Sequence, residues 1–167
     1  MLDLYNKIVD NEYELIPIGE ELKAEINIMP DRISGNLVTK SKTSDAEYLN
    51  LALTIMDGKY AGRKIFHKIG IKGTKVNEQG EDMWAKMGGV ELKHLVGSAR
   101  NICMKDKREE VKKKLKLDKY EDINGMVCKV LVGVEAGQNG YSDRNKVAKF
   151  ITPDKVAEVS LDDNIPF

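Results

Sequence analysis

A chain of 167 residues, 41% hydrophobic and 32% charged, is long enough to bury one core without disulfides or metal, and none of its apolar runs approaches the roughly 20 residues of a membrane helix. Its 27 basic and 27 acidic residues cancel, which argues against a simple basic nucleic-acid binder, but the cancellation is uneven. Asp154, Glu158, Asp162 and Asp163 against Lys155 leave residues 154–167 at −3 and residues 1–153 at +3, a basic body with an acidic tail.

The first ten residues mix acids and bases and lack the basic and apolar regions of a secretory signal, so a cytoplasmic location is the default. In chain order, "EELKAEINIM" (20–29) alternates strictly and predicts a half-buried strand with Leu22, Ala24, Ile26 and Ile28 inward. Residues 30–46 are polar and glycine-containing and predict a loop or a mobile hairpin tip carrying Lys40 and Lys42. "EYLNLALTIM" (47–56) predicts a second strand with Leu49, Leu51, Leu53 and Ile55 inward, and "DGKYAG" predicts a turn. "RKIFHKIGI" (63–71) then sets Ile65, His67, Ile69 and Ile71 against Lys64, Phe66 and Lys68. After a break at Gly88 and Gly89, Leu92, Leu95, Val96, Ala99, Ile102 and Cys103 recur at helical spacing. The charged stretch from Lys105 to Lys119 reads as a short surface helix or excursion. "INGMVCKVLVGVEA" and "KVAKFIT" predict the last two strands, joined by the turn-rich "QNGYSDRN".

The order strand-strand-strand-helix-strand-strand predicts a mainly β chain folded as a five-stranded OB-fold barrel with one amphipathic helix. Residues 1–153 would form this domain and residues 154–167 a mobile acidic tail. Cys103 and Cys128 read as buried free thiols. His67 and His94 have no partner at metal-ligand spacing, so neither metal nor cofactor is expected. No nucleophile elbow, phosphate loop or metalloprotease motif is present, and no enzyme activity is expected.

The outward face of the second and third strands interleaves Tyr48 and Phe66 with Lys64 and Lys68, and Tyr60 and Arg63 lie at the turn between them. Rings that stack under bases, beside cations that follow phosphates, are what single-stranded nucleic acid requires. Packing of these rings under the helix or a loop is the competing reading. Trp84 sits in polar surroundings that read as a loop, where it either plugs a barrel end or meets a base. Tyr141, Arg144, Lys146 and Lys149 form a second group near the last turn. For Lys105 to Lys119 a solvated face is favoured over phosphate contact.

"YELIPIGEELKAEI", "DGKYAGRKIF", the helix and "GYSDRNKVAKF" together resemble a phage-encoded family of small proteins from recombination and replication gene clusters. The resemblance implies a single-stranded DNA-binding protein acting in DNA replication, recombination and repair, in a bacterial host cytoplasm. The terminal "DDNIPF" resembles the acidic tip of bacterial single-stranded DNA-binding proteins, with Asn164 standing where that tip carries a third aspartate. By that resemblance Phe167 anchors in an apolar pocket of a replication, recombination or repair enzyme through ring and carboxylate. Pro166 limits the entropy lost on docking, Ile165 adds apolar contact, and Asp162 and Asp163 steer. Two other readings stay open: an interaction module that mimics the tip to occupy host enzymes, and an accessory subunit of a nuclease or hydrolase. Self-association into a homo-oligomer is also left open.

Overall fold

The computed structural model describes residues 14–156. Asp162, Asp163, Ile165, Pro166 and Phe167, and with them most of the predicted acidic tail, lie outside the described residues. The predicted strands form where alternation is clearest: β1 (Glu21–Ile28), β3 (Glu47–Ile55), β4 (Lys64–Lys72), β5 (Val127–Glu135) and β6 (Arg144–Ile151). A further strand, β2 (Val38–Lys40), pairs with β3 inside the stretch read as a loop. Three residues in a polar surrounding are too few to carry a period.

All pairings are antiparallel, in the order β2-β3-β1-β5-β6, with β4 also on β3. The chain is mainly β as expected, and its sheet is open and has six strands, one more than the five predicted. Among the described residues no ladder joins β4 to β6. The two approach through side chains instead: the rings of His67 and Phe150 meet edge to face at 5.8 Å. His67 Nε2 also bonds Glu91 Oε2 of the neighbouring helix at 2.6 Å.

The inward positions match the alternation. Leu49, Leu51, Leu53 and Ile55 of β3 are buried with Ala24, Ile26 and Ile28 of β1, Ile65 and Ile69 of β4, and Cys128, Val130 and Val132 of β5. Register explains the match, since Ala24–Ile55, Ile26–Leu53, Leu51–His67 and Leu49–Ile69 are direct partners. Cys103 and Cys128 are both buried and free, and burial pushes the Cys128 thiol up to about 12.

The helix α1 (Met83–Ala99) starts about two turns earlier than predicted. Asp82 is its N-cap, accepting from the Ala85 N–H at 3.1 Å and from the Gly73 N–H at 2.7 Å. Gly88 and Gly89 lie inside the helix rather than before it. Gly88 is buried where α1 crosses β4, and a Cβ there would overlap the Gly70 backbone. The pair of glycines that reads locally as a break is in part a tertiary contact. The helix stops at Ala99 rather than running on through Cys103. Asn101 adopts φ 58°, and the Ile102 N–H bonds the Gly97 carbonyl at 2.8 Å while the Asn101 N–H reaches Ser98. This is a Schellman closure, and it delivers Ile102 and Cys103 to the interior from beyond the helix. A short helix, α2 (Glu109–Lys114), and a 3-10 turn (Tyr120–Ile123) complete the path to β5. Among the described residues no helix is long and apolar enough to cross a membrane.

Candidate nucleic-acid interface

Alternation that turns leucines and isoleucines inward on β3 and β4 necessarily turns Tyr48, Asn50, Ala52 and Thr54 outward, opposite Gly70, Lys68, Phe66 and Lys64 in register. The structure therefore brings Tyr48, Lys64, Phe66 and Lys68 together on one face. Phe66 is 58% exposed, a large apolar ring with no core role. Its register partner Ala52 is only 7% exposed, a small residue set between Phe66 and Asn27 in the same cross-strand row. The Lys68 ammonium stands 4.8 Å from the centre of the Tyr48 ring, its diagonal neighbour, a cation–π contact that holds the charge beside an aromatic surface.

Trp84 ends this face. It lies in the first turn of α1 rather than in a loop, 44% exposed, with Nε1 donating weakly to the Glu47 carbonyl at 3.4 Å. Gly70, opposite Tyr48, makes room for it: a Cβ at Gly70 would come within 2.5 Å of the indole. On its other side Trp84 walls an apolar cleft of about 480 Å³, together with Met83, Val76, Gly73, Thr74 and Ala46. Lys75 also lines this cleft and was not among the candidates from sequence. The Asp82 cap holds both the cleft's loop, through Gly73, and the start of the helix, through Ala85. Those two N–H bonds, with the Gly73 bond the stronger influence, keep the Asp82 carboxyl below its ordinary value.

The remaining candidates are distributed differently. Lys40 is in β2 with Asp45 at 3.7 Å, and Lys42 is exposed at the tip between β2 and β3. Tyr60 is half-buried against the core, with the Lys59 ammonium 5.6 Å from its ring centre, and Arg63 is half-buried beside it. Tyr141 is 80% exposed, presented by a turn in which Asn139 and Gly140 both take positive φ and the Tyr141 N–H bonds the Gln138 carbonyl. Arg144 pairs with Glu135 at 3.0 Å, and the Lys146 chain lies over Gly133. Lys149 borders the seam cavity with His67, Glu91 and His94. Arg144, Lys146 and Lys149 thus lie on β6 and Tyr141 in the turn before it, and the second group does not join the β3–β4 face.

Among the described residues three aspartates are held below the ordinary carboxylate range. The Ile33 N–H lowers Asp31, the Gly73 N–H lowers Asp82, and the Arg108 side chain lowers Asp106. Each is ionised more firmly than usual and sits in a turn or cap. Among the described residues no group of three His, Cys, Asp or Glu side chains is arranged to hold a metal ion.

An open antiparallel sheet with an aromatic and cationic outer face, closed off by one helix, is thus the class of architecture. The chain belongs to DUF669, a family of proteins of unknown function, which residues 32–138 match. The match runs from the connection after β1 to the loop before β6. No curated protein matches the chain.

Proposed function

We propose that the protein binds single-stranded DNA, without sequence specificity, across the outer face of β3 and β4. The observation that carries the reading is Phe66, an uncovered ring between Lys64 and Lys68 on a rigid strand, beside the Tyr48–Lys68 pair. A rigid ring loses little entropy when a base stacks on it, and flanking cations meet phosphates on either side. The strand pairing supports an OB-like architecture for this site. Leaving out β2, β1 pairs with the next strand and with the fourth, the second with the third, and the fourth with the fifth. We read that order as that of a partly open OB-fold, whose second and third strands and flanking loops carry oligonucleotides. Here those strands are β3 and β4, and the loops are the ones bearing Lys40 and Lys42 and bearing Tyr141.

Titration of a fluorescent oligothymidine over a range of salt tests the reading. Tighter binding than to duplex is expected, with log K falling against log salt at a slope of about −0.7 per phosphate neutralised. Equal affinity for duplex, or no salt dependence, would sink it and leave the interaction-module reading standing.

The "DDNIPF" spelling of the C-terminus supports a second role for the same protein, recruitment of replication, recombination or repair enzymes through Phe167. In a pull-down from bacterial lysate, Phe167→Ala is expected to lose those enzymes while oligothymidine binding is unchanged. Identical partner sets for the two forms would remove this role.

A further inference from the structure

The +3 of the body is not on the proposed DNA face. Between Arg100 and Lys119 lie nine cations and four acids, a net of +5, so the rest of residues 1–153 is at −2. The segment that holds the excess is an arm fastened to the domain at several points. Ile102, Cys103 and Val111 are buried, and Leu117 packs on the core. Asp106, with its side chain 4% exposed, takes a two-pronged bond from Arg108, Nε to Oδ1 at 2.9 Å and Nη2 to Oδ2 at 2.6 Å. Arg100, at the end of α1, donates to the carbonyls of Lys114 at 2.5 Å and Lys116 at 3.2 Å. The two arginines are thus engaged in holding the arm's shape.

The lysines are what the arm presents. Lys112 and Lys119 have carboxylate partners, Glu109 at 3.4 Å and Glu121 at 2.8 Å. Lys105, Lys113, Lys114 and Lys116 are exposed and have no ion pair among the described residues. Beside them a groove of about 420 Å³ separates the arm from α1, lined in part by Leu92, Lys93, Lys119 and Tyr120. The groove wall sets the Tyr120 ring with Lys93, Lys119 and one acid, Asp118. Like charges gathered on an anchored backbone repel one another, and four acids offset only part of nine cations, so a polyanion relieves the remainder at little ordering cost.

We propose that this arm is a second phosphate-binding surface, which takes up the backbone of a single strand after it leaves the β3–β4 face. The inference rests on the function proposed above and extends it from one face to two. Helix α1 links them, with Trp84 at the face and Arg100 at the arm. Sixteen residues of helix separate those two, roughly 24 Å at 1.5 Å per residue. Bridging that distance takes up to about seven nucleotides at the duplex spacing of about 3.4 Å per phosphate. A short oligomer can therefore occupy the face alone, and a long one reaches both surfaces.

The test compares oligothymidines of about 8 and about 25 nucleotides, inside and beyond the site sizes usual for one such fold, on the full chain. The variant replaces Lys105, Lys113, Lys114 and Lys116 together by Gln. For the long oligomer the salt slope should shrink by up to about 3, at about 0.7 per lost contact, while affinity and slope for the short one stay as in the parent. A companion variant with Arg at the same four positions keeps the charge and should bind both lengths like the parent, which also checks that the arm remains folded. An unchanged slope on the long oligomer overturns the proposal, and so does an equal loss on both lengths, which would mean a diffuse field effect. Failure of the parent to bind the short oligomer at all would instead strike the β3–β4 face.

Discussion

Alanine in place of Phe66 is expected to weaken oligothymidine binding by roughly 5- to 150-fold, the equivalent of about 1–3 kcal/mol for one base stacked on an aromatic ring. The same change should leave folding stability within about 0.5 kcal/mol, as for surface substitutions away from special features, because the ring is more than half exposed and belongs to no core cluster. Salt should separate ring from cation. Phe66→Ala lowers affinity at every salt concentration and keeps the slope, whereas Lys64→Gln or Lys68→Gln flattens the slope by about 0.7 each. Anisotropy titrations with a melting curve for each variant check the set. Unchanged affinity in Phe66→Ala would remove the β3–β4 face as the site.

Adjacent glycines in α1 should respond to alanine with opposite signs. At Gly89 an added Cβ meets nothing within 4 Å, so Gly89→Ala gains the ordinary helix preference, about 1 kcal/mol of stability. At Gly88 the added carbon meets the backbone of Gly70, which no rotamer change can move aside. The helix must lift from β4, and overpacking of this kind costs about 1–3 kcal/mol, more than the helix preference returns at the upper end. Denaturant melts of the two variants decide it, and stabilisation by both would mean that α1 does not seat on β4 at Gly88. A lifted helix also displaces Trp84, one turn earlier, so Gly88→Ala should disturb the end of the proposed DNA face as well as stability.

These glycines show where the sequence was legible and where it was not. The inward rows of β1, β3, β4 and β5 could be read because period-two alternation is a local signal, written within nine residues or fewer. The outward row came with it, since alternation assigns both faces at once, and that is why Tyr48, Lys64, Phe66 and Lys68 fall together. Gly88 was misread because its reason lies on another element, eighteen positions back at Gly70. Trp84 followed it into error: with the helix started too late, its surroundings looked like a loop, although Asp82 ahead of it is an ordinary helix-start signal. The charge of the arm was visible, but not its fastening, because Arg100 reaches backbone carbonyls and any residue supplies those. The open seam was out of reach for a similar reason. His67, Glu91 and Phe150 are spread over more than eighty residues, and nothing near any one of them announces the others.

The central place of β1 also bears on how the chain comes off the ribosome. Ala24 pairs with Ile55 on one side and with Cys128 on the other, so one edge of an apolar strand near the start waits for a partner about a hundred residues downstream. During synthesis β1, β3 and β4 can join as a local meander, but the waiting edge and the inner face stay uncovered until β5 has emerged. Long-range pairings of this kind are slow to form and leave strand edges open to other chains. The span from Lys72 to Val127, which brings α1, the basic arm and the 3-10 turn, therefore sets the delay. In a nascent chain the charge of that arm reaches solvent before the core it is fastened to has closed.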